Sequence, residues 1–120
     1  MSHEATELQL YIENDGGLHR RQVIPIRKSL ATKVASGTYD HDKAVKVYMR
    51  LAESGAQGYV KEYGGGDWRK IFPVPVRREV ATALAEQFER ACAMGEYAYL
   101  IPKKYQPKPA KPATKPRRRA

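Results

Sequence analysis

Apolar residues recur with helical spacing over most of this chain. After Pro25, Ile26, Leu30 and Val34 return every four residues, which marks one face of a helix. Proline suits the first turn of such a helix, where its missing N–H leaves nothing unpaired, and Gly37 suits its left-handed end. Asp40 can cap the next helix. In that helix Ala44, Val45, Tyr48, Leu51, Ala52, Gly55, Tyr59 and Tyr63 trace one stripe. At 1.5 Å per residue it would be about 36 Å long. Gly55 and Gly58 each weaken it by roughly 1 kcal/mol relative to alanine, and they invite a break or a close neighbour. Gly64-Gly65-Gly66 ends it. A third helix is predicted from near Pro75 to Met94, with Val76, Val80, Ala83, Leu84, Phe88, Ala91 and Cys92 on its apolar face and Gly95 beyond its end.

The flanks read differently. Leu8, Leu10 and Ile12 alternate with Gln9, Tyr11 and Glu13, the period of a strand. Asn14-Asp15-Gly16-Gly17 follows with turn chemistry, and residues 18–24 are a candidate for a second extended piece. Residues 96–101 also favour β structure and would pair with 8–13. The expected fold is mainly α: a three-helix domain over 8–101 with a small terminal β element. A polar, frayed segment 1–7 would precede it, and a disordered basic tail over 102–120 would follow.

Charge changes the picture at the C-terminal end. The 120 residues include 22 Lys and Arg against 13 Asp and Glu, for a net charge of +9. Eight of the bases fall after Ile101, with no acid: Lys103, Lys104, Lys108, Lys111, Lys115, Arg117, Arg118 and Arg119. Residues 1–101 therefore keep 14 bases and 13 acids, a net of +1. The same segment holds five of the eight prolines and no isoleucine, leucine, valine or phenylalanine. It has nothing with which to build a core, and proline with like-charge repulsion keeps it extended. Cations spaced along an open chain can follow a phosphate backbone and release its counterions. Eight contacts to duplex phosphates would give a log–log salt slope near −7, at about −0.9 per phosphate. The expected function is non-enzymatic, largely sequence-independent nucleic-acid binding, to DNA or RNA, through these eight residues. Arg20-Arg21, Arg27-Lys28, Arg69-Lys70 and Arg77-Arg78 form a candidate secondary patch. A helix-turn-helix centred on Gly37 is not expected. It would put Thr32, Ser36, Thr38, Lys43 and Lys46 where that motif needs apolar residues.

Other chemistry is sparse. His41-Asp42 resembles the ligand pair of metal phosphohydrolases, but a metal shell needs further ligands. The only other histidines are His3 and His19. Acids in a first helical turn also complement the helix dipole without any metal. Gly64-Gly65-Gly66 is followed by Asp67-Trp68 rather than the Gly-Lys-Ser/Thr of a phosphate loop. Cys92 falls on an apolar helix face, where cysteine acts as a small hydrophobe. No catalytic residue, metal or cofactor is expected. One cysteine forms no internal disulfide, and the N-terminus lacks a secretory pattern, so a cytoplasmic setting is expected. No apolar run approaches the roughly 18–20 residues of a membrane span. The alternative is a protein-interaction module, built on a near-neutral helical body with exposed tyrosines and Trp68 and able to engage an acidic or other protein partner.

Three stretches carry a resemblance: Leu10-Tyr11-Ile12-Glu13-Asn14-Asp15, residues 37–46 (Gly-Thr-Tyr-Asp-His-Asp-Lys-Ala-Val-Lys) and Tyr59-Val60-Lys61-Glu62-Tyr63-Gly64. With Arg77-Arg78-Glu79-Val80-Ala81 they resemble small uncharacterised accessory proteins of bacteriophages and other mobile elements, over about residues 8–92. The resemblance implies an accessory role in a bacterial cytoplasm and assigns no functional residue; under the interaction-module alternative the partner would be a host or virion protein. The tail's Lys-Pro-Ala-Lys-Pro-Ala-Thr-Lys-Pro is similar in composition to linker-histone tails.

Overall fold

The first helix begins two residues into the chain. The Ser2 hydroxyl accepts the Ala5 N–H at 3.1 Å and caps α1 (His3–Asn14). The Ser2 N–H donates to Glu79 Oε2 at 3.0 Å, tying this end to the C-terminal half. The computed structural model describes residues 1–105. α1 overturns the strand expected over 8–13 and the frayed segment expected over 1–7. Leu8 and Ile12 are buried together with Ala5, at helical spacing, while Leu10 is 51% exposed. Leu8 and Ile12 fit both alternation and helical spacing; Ala5 extends the helical set, and Leu10 fits only the alternation.

Asp15 turns a corner rather than a hairpin. Its backbone is extended, and its carboxylate accepts the Leu18 N–H at 3.0 Å, starting α2 (Gly16–Leu18). A π-helical turn (His19–Val23) leads directly into α3 (Ile24–Ser36). Residues 18–24 are therefore helical, not extended. Pro25 explains the wide turn. It has no N–H for the Arg21 carbonyl, and its ring would press on that carbonyl in a regular α-helix. Closing the turn one residue wider, with Ile24 N–H donating to His19 O, carries the helix past the proline.

Gly37, with φ of 78°, ends α3, and Thr38 N–H returns to Lys33 O at 2.8 Å. Asp40 caps α4 (His41–Tyr63). Asp67 caps the single turn of α5 (Trp68–Ile71), and Pro73 leads into α6 (Val74–Ala93). The spans of α3, α4 and α6 agree with the periodicity to within a residue or two. The terminal β element is absent: no strand occurs among the described residues, and beyond Gly95 there are only 3-10 turns at Ala98–Leu100 and Lys103–Tyr105. Their expected partner is helical, so no strand edge exists for them to join. Tyr97 instead stacks on Phe88, ring centroids 5.6 Å apart, and the 3-10 turns lie along α3.

α4 and α6 pack antiparallel as the main pair, with His41 beside Glu89 at one end and Glu53 beside Arg77 further along. α1 packs on both. Leu8, Ile12, Leu51, Phe72, Val80 and Phe88 are fully buried between them. Gly55 makes the seat for α1: a Cβ there would stand 2.5 Å from Ile12 Cγ1. Gly58 faces the Tyr11 hydroxyl, the movable end of a side chain, at 2.9 Å. Alanine would gain roughly 1 kcal/mol of helix propensity at either glycine. At Gly55 this is outweighed by overpacking of about 1–3 kcal/mol. Urea denaturation should show Gly55→Ala destabilised by about 1 kcal/mol and Gly58→Ala close to the parent.

Candidate nucleic-acid interface

Residues 16–39 contain Arg20, Arg21, Arg27, Lys28 and Lys33 and no acid. They comprise α2, the π turn, α3 and the short connection to α4. Taking these five from the 14 bases of residues 1–101 leaves nine against all 13 acids. The near-neutral domain is thus a body of net −4 carrying one helix of +5. The continuous helical path over 16–36 is about 30 Å long, comparable with nine steps along a DNA strand at about 3.4 Å each.

Arg20, Arg21, Lys28 and Lys33 are exposed. Gly16 and Gly17, one turn earlier, leave room for the two arginines: a Cβ at Gly17 would stand 2.8 Å from Arg21 Nη1. The Leu18 N–H, and more weakly Arg21, hold the Asp15 carboxyl below its usual range. Lys33, in the last turn of α3, also complements the helix dipole. Arg27 is half-buried, its guanidinium 5.1 Å from the Tyr97 ring centre.

The arm starts beside this helix. The turn Lys103–Tyr105 lies against α3, with Lys103 and Lys104 exposed. This corrects the start of the expected disordered tail, since 103–105 form an ordered turn. Lys108, Lys111, Lys115, Arg117, Arg118 and Arg119 lie outside the described residues, as does the rest of that tail.

The other two pairs are elsewhere, so the four pairs do not form one patch. Arg69 and Lys70 sit on α5. Arg77 and Arg78 sit near the start of α6, about 24 Å along it from the end that leads to the arm. Arg77 is not a surface cation at all. It is 5% exposed, its Nε donates to Phe72 O at 2.8 Å, Nη1 donates to Glu53 at 3.3 Å, and its guanidinium lies 5.0 Å from the Trp68 ring centre. A carbonyl at the end of α5 needs a donor there, and Arg77 supplies it. Lys33 was not among the candidates. The acid-free run that reveals it is visible in sequence once charge is counted in windows rather than over the whole domain.

Residues considered for catalysis are engaged otherwise. His41 Nδ1 lies 2.6 Å from Glu89 Oε2, which also accepts the Tyr39 hydroxyl. Among the described residues no three His, Cys, Asp or Glu side chains converge as metal ligands. Burial pushes the Cys92 thiol up, away from the reactive thiolate. Among the described residues no helix is long and apolar enough to cross a membrane. A second surface feature is a cleft of about 530 Å³ between the ends of α1 and α4. Tyr11, Tyr59 and Tyr63 meet there with ring centroids 4.9–6.3 Å apart, flanked by Glu7, Asp15 and Glu62 and by no base.

No protein-family model matches the chain, and no curated protein or solved structure matches it significantly.

The His41–Glu89 contact predicts a pH dependence. The hydrogen bond and charge of Glu89 raise the His41 pKa above its ordinary 6.5. Burial works to raise the Glu89 carboxyl, but hydrogen bonds from Tyr39 and His41 prevail and hold it below its ordinary 4.5. The histidine's contribution is complete below the unfolded value and is lost as pH rises through the raised folded one. The carboxylate's contribution is present above its ordinary value and is lost as pH falls through the lowered one. Thermal melts from about pH 5 to 9 should show stability falling above about 6.5, and His41→Gln should flatten that fall.

Proposed function

We propose that this protein binds nucleic acid through its phosphates, largely regardless of sequence, with the arm and the adjoining basic helix as one contact surface. The observation that supports this most is the acid-free helix over 16–36 lying beside the root of an arm that is itself acid-free. Cations that follow a backbone give affinity without base reading. The body contributes position rather than charge. Its resemblance to phage and mobile-element proteins would place this role in a bacterial cytoplasm.

The test uses full-length variants in a salt series with duplex and single-stranded DNA and RNA. Eight arm bases and the four exposed bases of the helix set a limiting slope near −11, at about −0.9 per phosphate. Replacing Arg20, Arg21, Lys28 and Lys33 by glutamine should reduce the slope by up to about 3.6, and replacing the six arm bases beyond Tyr105 should reduce it by up to about 5.4. Salt-insensitive binding, unchanged in both variants, would overturn the reading.

The tyrosine cleft favours a second reading, a protein-interaction module. Aromatic faces ringed by carboxylates attract a cation, so the partner would present a lysine or arginine side chain. Tyr63→Ala should weaken binding of a lysine-rich peptide while leaving nucleic-acid affinity unchanged.

A further inference from the structure

A cavity of about 250 Å³ lies between α1, the π turn with α3, α4 and α6. Its apolar wall includes Ile12, Leu51, Leu84 and Phe88. Its polar lining is uneven. Arg27, His19, Tyr48, Gln87 and Tyr97 contribute groups able to donate, and the sole acid lining it is Glu13, an exposed residue. Tyr48 is 3% exposed, and among the described residues its hydroxyl has no hydrogen-bond partner. Arg27 and Tyr97 are among the groups that act on it electrostatically. Among the described residues Arg27 has no carboxylate within ion-pair distance; it rests on the Tyr97 ring.

A buried hydroxyl without a partner is destabilising, and phenylalanine would fill the same space without it. The group therefore calls for an acceptor that the described residues do not provide. Burial raises the Tyr48 pKa, so the hydroxyl keeps its proton and can donate. A half-buried guanidinium beside it offers a planar fork suited to a carboxylate. The rest of the lining includes the aliphatic and aromatic side chains of Ile12, Leu51, Leu84 and Phe88. Wide helical turns of the kind that carries His19 recur at functional sites.

We propose that this cavity binds a small organic carboxylate with an apolar body, its carboxylate held by Arg27 and the Tyr48 hydroxyl and its body against Ile12, Leu51, Leu84 and Phe88. The volume falls just below the roughly 300–1,000 Å³ of sites for drug-sized ligands, so the ligand is fragment-sized. The site is separate from the phosphate-binding surface proposed above and does not depend on it.

The test titrates the full chain with 4-phenylbutyrate and with its neutral analogue 4-phenylbutanamide, by calorimetry and by backbone-amide NMR shifts around Arg27, Tyr48 and Phe88. The carboxylate should bind about tenfold more tightly than the amide, as expected for a charge-assisted hydrogen bond. Tyr48→Phe should weaken carboxylate binding by about five- to tenfold, and Arg27→Gln should erase the preference over the amide. Equal affinity for the two probes, no binding of either, or undiminished carboxylate binding by Tyr48→Phe would overturn the proposal and leave a cavity that holds water only. If Arg27→Gln fails to fold, Tyr48→Phe, which removes a single oxygen atom, carries the test.

Discussion

The space left by the missing side chain at Gly55 admits Ile12, and with it the whole of α1, onto α4. The pair of α4 and α6 would form from periodicity alone, but two helices leave one broad apolar face of each uncovered. α1 covers it by placing Ala5, Leu8 and Ile12 in the groove, and a glycine at 55 allows the approach without overpacking. From that seat the rest follows in order. Asp15 falls at the corner where α1 ends, its carboxylate starts the next helix, and that helix carries the chain back past the core. The tyrosine cleft and the cavity both have α1 as a wall, so both depend on the seat that Gly55 provides.

The three long helices from residue 24 onward are legible because period, cap and end signals agree: Pro25 and Gly37, Asp40 and Gly64, Pro75 and Gly95 bracket apolar stripes of helical spacing, whereas the single turn of α5 reads only as a connection. The first fifteen residues mislead because Leu8 and Ile12 satisfy two periods at once, and Ala5, together with contacts to Gly55 that are remote in sequence, settles the choice. Once 8–13 became helix, the expected strand near residue 100 lost its partner, so one error produced the other. The candidate interface was legible as charge but not as place. Nothing in Arg77-Arg78 distinguishes a cation that closes the end of α5 from one in solvent. The acid-free helix, by contrast, was written in the sequence and was hidden only by averaging over the domain.

The electrostatic organisation follows from that segregation. A net −4 body, a +5 helix and a +8 arm add to the +9 of the sequence. Under the proposed function, a polyanion would be drawn to the helix and arm before any contact forms. The acids of the body limit how much of its remaining surface can adhere, so orientation needs no sequence reading.

The π turn has a consequence for the phase of the helix it interrupts. By closing one residue wider than its neighbours, it offsets everything after it by about one residue, roughly 100° around the axis at 3.6 residues per turn. Arg20 and Arg21 stay in solvent on one side of that offset while Arg27 swings inward to Tyr97 on the other. The two sets of arginines are therefore assigned to different surroundings by a single added residue. Winding 19–23 as a regular α-helix with the same number of residues would rotate Arg27 out of the cavity wall. Pro25, which disfavours that regular winding, therefore also sets the direction in which Arg27 points.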